Sequence, residues 1–185
     1  MSDRSDADLA GLARAGDKAA FSALMRRYKT PLYRQIRRHV GDGDDAYDVL
    51  QETFVAAWSA FVRFDPARPV GAWLRTIAIN KCRDFGRRRT VTRMIFGSAP
   101  EREAAAPEWP AQEAEAQERR LVELEKAIAS LPANLKEPLI LTALEGLPHI
   151  EAGAVLGLTV KAVETRVARA RKKLAAALPE LFAPD

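Results

Sequence analysis

The chain has 185 residues, 48% hydrophobic and 29% charged, with 29 Lys and Arg against 25 Asp and Glu and a net charge of +4. That balance fits a soluble globular protein with a real core. The longest uncharged run, residues 53–62, is about half of the roughly 20 residues a membrane-spanning helix needs, so membrane insertion is not expected. The N-terminus, MSDRSDADLAGLARAGD, is charged from Asp3 onward and lacks the apolar stretch of a secretion signal. The lone cysteine, Cys82, permits no internal disulfide and reads as a small buried apolar side chain; a cytoplasmic protein is expected.

Charge is unevenly spread. Between Arg75 and Arg93 seven basic residues face one acid, Asp84; between Glu101 and Glu125 eight glutamates face three arginines; between Lys161 and Lys173 six basic residues face Glu164. Two basic blocks separated by an acidic stretch are the pattern of two contacts with a polyanion, or of two solvated helix faces. Composition shifts at the same places. Residues 1–89 form one block with apolar residues at helical spacing, residues 90–117 hold Gly97, Pro100, Pro107 and Pro110 and read as a flexible linker, and residues 118–180 form a second helical block. With no alternating strand pattern anywhere, the expected fold is all-α, two small helical domains.

Taken in chain order, the first helix spans Asp6 to Ala15, with Leu9, Leu12 and Ala13 on one side, and ends at Gly16. A second, Ala19 to His39, carries Phe21, Leu24, Met25, Tyr28, Leu32 and Ile36, with a bend or break at Pro31. GDGDD (41–45) is a turn that caps a third helix, Ala46 to Phe61. There Leu50, Phe54, Ala57 and Phe61 share one face, while Asp48, Glu52 and Ser59 lie opposite with Gln51 at the edge. An acidic outward face is either solvated or a dock for a basic helix. After the loop RFDPARPVGAW (63–73), a helix over 73–89 turns Leu74, Ile77, Ala78 and Cys82 inward and leaves Arg75, Thr76, Asn80, Lys81 and Arg83 outward. Loop aromatics Phe64 and Trp73 beside such a helix suit single-stranded nucleic acid, where bases stack on rings and phosphates pair with arginine; equally, the rings can plug the core.

The second block ends in IEAGAVLGLTVKAVETRVARARKKL (150–174), a helix-turn-helix pattern. One helix runs through Leu156, the turn falls at Gly157–Leu158, and Thr159 caps the next helix. Val163, Val167, Ala170 and Leu174 form its inner stripe; Lys161, Glu164, Thr165, Arg166 and Arg169 lie outward, as a recognition helix requires. With the apolar helix in residues 129–148, this makes a four-helix domain.

Catalysis is not expected. The only histidines are His39 and His149, and no metal-ligand set, phosphate-cradling glycine loop or nucleophile motif occurs. The stretch 42–48 has the acids of a calcium loop, but Tyr47 stands where glycine is required and Thr53 where the bidentate glutamate belongs. No cofactor and no metal are expected.

Several motifs in order, AGDKAAFSALMRRY (15–28), DDAYDVLQETFVAAW (44–58), FDPARPVGAWLRTIAINKCRDFGRRR (64–89) and SLPANLKEPLILTALEGL (130–147) before the helix-turn-helix, resemble bacterial sigma factors of the extracytoplasmic-function kind. The resemblance covers about four-fifths of the chain. It implies regions two and four of the family and partners in core RNA polymerase, promoter DNA and an anti-sigma factor. It places Asp48, Gln51 and Glu52 at the polymerase clamp. Asn80, with Phe64, Trp73, Arg75, Lys81 and Arg83, would take the single-stranded minus-ten element, and Lys161, Glu164, Thr165, Arg166 and Arg169 the duplex minus-thirty-five element. The chain departs from the family's usual residues at four places. Pro148 replaces a capping serine and is expected as an initial helical residue; Gly153 replaces alanine, Glu164 stands at a position often basic, and Thr76 replaces an arginine. A stand-alone helix-turn-helix regulator, or a sigma-like decoy for an anti-sigma protein, is the alternative. Whether the two domains are splayed or clasped is left open by the sequence.

Overall fold

The computed structural model describes residues 4–96 and 112–181, and every element within them is helical. Ser5 opens α1 (Asp6–Arg14) with a reciprocal capping box to Asp8, and the chain leaves it through Gly16 at φ +94°, a conformation only glycine adopts freely. Asp17 caps α2 (Lys18–Val40) by accepting from the Ala19 and Ala20 amides. Of the bend or break expected at Pro31, no break occurs: the helix is continuous through it. Asp42 caps α3 (Gly43–Ala60) in the same way, and a 3-10 turn at Phe61–Arg63 follows.

Helix α4 (Val70–Phe96) passes Arg89, where the sequence pattern ended it, by two turns. The expected linker therefore begins and ends as helix, and residues 97–111 lie outside the described part. Beyond them come α5 (Gln112–Ser130), α6 (Ala133–Leu139) continued by a π-helical turn at Ile140–Leu144, α7 (His149–Leu156) and α8 (Val160–Ala177).

Two cores organise these helices. The first joins α1 to α4 through Leu9, Leu24, Leu32, Ile36, Val49, Leu50, Phe54, Phe61 and Leu74, with Cys82 among them. Burial pushes the Cys82 thiol up to about 12, leaving it an inert apolar group. The second core joins α5 to α8 through Ile128, Leu139, Leu141, Val163, Val167, Ala170 and Leu174, and it also takes in Ile79 from α4 with Ala72 packed beside it. Helix α4 thus presents its inner face to one core and part of its outer face to the other. The two domains are clasped.

Candidate nucleic-acid interface

On α3 the acidic face stands outward as expected. Asp48 and Gln51 are exposed, and Glu52 is half-buried because it meets α4: Arg88 Nη2 donates to its two oxygens at 3.0 and 3.2 Å and Lys81 Nζ lies 3.8 Å away. Between these polar groups Tyr47, Val55, Trp58 and Val62 are also exposed, a row at spacings of three, four and eight residues that amphipathic reasoning passed over. Its signal was present: apolar residues interrupting an otherwise polar outward face.

The loop aromatics resolve differently. Phe64 is 3% exposed, its ring 5.3 Å from Phe61 and 5.0 Å from Trp73 between centroids. This corrects its expected place as a stacking platform: it closes the first core, because a large apolar ring gains more from full burial than from a wet surface. Trp73 is partly buried, edge-on to Phe61 at 4.9 Å. It keeps some ring surface in reach of solvent.

Along α4 the outward polar residues are already occupied. Asn80 is exposed, its Oδ1 near Arg83 Nη1 at 3.3 Å. Arg83 donates from Nε and Nη2 to the two oxygens of Glu137 on α6, at 2.7 and 2.6 Å, a parallel bidentate pair. Arg75 donates to Gln35 Oε1 at 3.0 Å and lies 3.8 Å from Glu145, which also binds Arg38. Thr76 donates to Ala72 O and lies 3.4 Å from Val155 O on α7.

Glu137 sits at the centre of a buried ionic group. Burial alone would raise its carboxyl, but the nearby His39 ring and the Arg83 guanidinium outweigh it and hold the carboxyl below its ordinary value. Burial, with Lys136 and Arg83 adding like charge, holds His39 below the usual imidazole value, and its Nε2, 3.7 Å from Glu137, has no hydrogen-bond partner. Lys136, beside it, donates to His39 O at 2.9 Å and Ala129 O at 2.5 Å, tying the ends of α2 and α5 together. Burial lowers its affinity for the proton.

The helix-turn-helix forms as read. Gly157 takes the left-handed conformation at φ +69°, and Thr159 Oγ1 accepts from the Ala162 amide at 3.2 Å to start α8. Pro148 is corrected: it is the cap residue before α7, with φ −55° and ψ 146°, rather than its first helical residue, and it offers no side-chain acceptor. On α8 the inner stripe is buried, while Lys161, Glu164, Thr165 and Arg169 are exposed and Arg166 partly so. Glu164 lies 3.3 Å from Lys161, and the Thr165 hydroxyl donates back to Lys161 O. Val160, which the sequence analysis did not single out, is exposed at the N-terminus of this helix.

Two helical domains, each with its own core and an outward basic helix, define a bipartite nucleic-acid-binding protein. Comparisons narrow the class. Sigma-70 region 2 matches residues 24–92 and Sigma-70 region 4 matches residues 121–174. The RNA polymerase sigma factor CnrH of Cupriavidus metallidurans is 41% identical over 181 residues, 94% of this chain and 95% of that protein. The ECF RNA polymerase sigma factor SigM of Mycobacterium tuberculosis is 30% identical over 173 residues, 94% of this chain and 84% of its own length. The structure of CnrH in complex with the cytosolic domain of CnrY superposes with a TM-score of 0.71 at 38% identity, covering 95% of this chain and 97% of that one. RpoE of Bartonella quintana, solved with the anti-sigma factor NepR, gives 0.65 at 26% identity, covering 86% and 96%. The chain belongs to the extracytoplasmic-function group of the sigma-70 family, whose members are regulators rather than enzymes.

Proposed function

We propose that this sigma factor binds core RNA polymerase through the outward face of α3, with Asp48, Gln51 and Glu52 as polar contacts and Val55 beside them. Helix α4 and Trp73 then take the single-stranded minus-ten element, Asn80 reading an unstacked base edge and Arg75, Lys81 and Arg83 meeting phosphates. Helix α8 enters the major groove of the minus-thirty-five element with Lys161, Thr165, Arg166 and Arg169, and Glu164 accepts from a base amine. The observation that supports this reading is the presence, in one chain, of two basic helices, α4 packed chiefly on the N-terminal core and α8 on the C-terminal one. Each module neutralises few phosphates, so each alone is a weak, salt-sensitive binder; tethering to polymerase raises their effective concentration and makes them act together. CnrH was solved with the cytosolic domain of CnrY and RpoE with the anti-sigma factor NepR, and an anti-sigma factor in the cytoplasm is the matching partner here.

Run-off transcription with core polymerase tests the reading. Wild type is expected to give promoter-specific transcripts, Glu52→Lys to lose core binding, and Asn80→Ala to keep core binding but lose strand opening. A core enzyme that ignores the wild-type protein sinks the proposal.

A further inference from the structure

Lys161 and Glu164 stand one turn apart on the outward side of α8, away from Val163, Val167 and Ala170, which are buried in the C-terminal core. Both side chains are exposed, and Lys161 Nζ lies 3.3 Å from Glu164 Oε2. Thr165 beside them turns its hydroxyl proton inward onto Lys161 O at 2.8 Å. Helix stability does not explain this couple. The positive end of the helix dipole favours an acid in the first turn, and α8 has none there; it has Lys161 instead. An ion pair along a helix gains most with the acid nearer the N-terminus, and here the order is reversed. An exposed pair adds little to folding in either order. General attraction to DNA does not explain Glu164 either, because a carboxylate among Lys161, Arg166, Arg169 and Lys172 repels phosphate.

We propose that Lys161 and Glu164 form one donor–acceptor couple that reads a single C·G pair in the major groove, Glu164 accepting from cytosine N4 and Lys161 donating to guanine O6 and N7. This rests on the reading of α8 as the duplex-recognition helix. Cytosine N4 and guanine O6 are hydrogen-bonded to each other in the pair, so a donor and an acceptor lie about 3 Å apart on its major-groove edge. The couple offers the complementary acceptor and donor 3.3 Å apart. An ammonium has several N–H donors, so Lys161 keeps Glu164 while it reaches guanine. The other pairs fit worse. Turned round as G·C, the pair sets guanine O6 against the carboxylate and the cytosine amine against the ammonium, like against like; T·A does the same with thymine O4 and the adenine amine. A·T keeps an amine for Glu164, but adenine N7 then lies beside the carboxylate, and Lys161 finds thymine O4 as its one acceptor. The couple therefore ranks C·G first and A·T second, and it rejects G·C and T·A by repulsion.

The test selects duplexes randomised over about 10 base pairs, one helical turn, with the full chain alone at about 50 mM salt and with its complex with core polymerase. Wild type is expected to fix a C·G pair. Changing that pair to G·C or T·A should weaken binding, read by fluorescence anisotropy, by roughly tenfold to a hundredfold, and changing it to A·T by less. Glu164→Gln should move the preference at that one pair from C·G to A·T, since an amide pairs bidentately with adenine N6 and N7, and leave the other selected positions as they are. Lys161→Ala should keep an amine-bearing base there and narrow the preference for C·G over A·T. Both side chains are exposed, so both variants should keep the wild-type circular dichroism spectrum. A couple that only decorates the helix surface would move neither preference. Selected sequences that Glu164→Gln leaves unchanged, or that hold no C·G pair, overturn the couple and leave α8 as the duplex reader. No enrichment by the full chain or by its polymerase complex overturns the reading of α8 itself, and the couple with it.

Discussion

Gly153→Ala sets two known forces against each other at one atom. Gly153 lies inside α7, where alanine is worth about 1 kcal/mol more than glycine in helix propensity. A Cβ there would stand 2.6 Å from the carbonyl oxygen of Leu158 and 3.8 Å from Val163 Cγ2. The obstacle is backbone, fixed by the Gly157 and Leu158 amides, which both donate to Gly153 O, the latter at 2.9 Å. Relief requires shifting the turn that carries the Thr159 cap and hence the start of α8. Overpacking of this kind costs about 1–3 kcal/mol, so after the propensity gain a net loss of about 1 kcal/mol is expected. For a domain of this size that lowers the melting temperature by roughly 4–8 °C. Urea denaturation followed by circular dichroism measures it as a lower midpoint at unchanged slope. A Gly153→Ala protein more stable than wild type by the full propensity gain would refute the reasoning and show that the turn yields freely.

Phe61→Ala should cost about 3–5 kcal/mol, because the ring is 1% exposed and touches Phe21, Phe64 and Trp73, and the urea midpoint of the N-terminal domain should fall accordingly. The pH dependence of stability carries a sign set by His39, which faces Glu137, Lys136 and Arg83: burial lowers its folded value, so the unfolded chain takes the proton first. Stability is therefore full above the ordinary value of 6.5 and falls as pH drops below it; a urea midpoint between pH 7.5 and 5.5 that is flat in wild type, or no flatter in His39→Leu than in wild type, contradicts this.

What the sequence made legible is whatever helical period encodes. Leu50, Phe54, Ala57 and Phe61 were placed on one face and are buried together; Val163, Val167, Ala170 and Leu174 likewise form the inner side of α8. The cap at Thr159 follows from a short polar side chain before an apolar period; the turn over residues 41–45 is legible as capping, but the helix starts at Gly43 rather than Ala46 and its cap is Asp42. Period says which side of a helix is apolar and nothing about what that side meets. Ile79 was therefore unassigned on a face otherwise polar, although it reaches a core formed some fifty residues later in the chain. Lys136 and Glu137 look like surface charges in ANLKEPLIL, yet both are buried, because their partners, His39 O and Arg83, come from the other domain. Phe64 shows the same limit from the other side: an aromatic residue in a proline-rich loop has one sequence signature whether it stacks on a base or closes a core.

Under the proposed function the two basic helices, α4 and α8, differ in readiness, and that difference has consequences. On α8, Lys161 and Arg169 are exposed, and the only carboxylate within ion-pair distance of Lys161 among the described residues is Glu164 on the same helix. On α4, Arg83, Arg88 and Lys81 each lie beside a carboxylate of another helix, and Arg75 stands near Glu145. Counterion release favours surfaces whose cations are unpaired before DNA arrives, since a cation already matched by a carboxylate gains only the difference between two partners. Free protein should thus meet duplex DNA through α8 first, with little help from α4. Under the proposed function, an opened strand at α4 competes with these carboxylates for Arg75 and Arg83. Under the proposed function, recognition of duplex by α8 therefore precedes capture of single strand by α4.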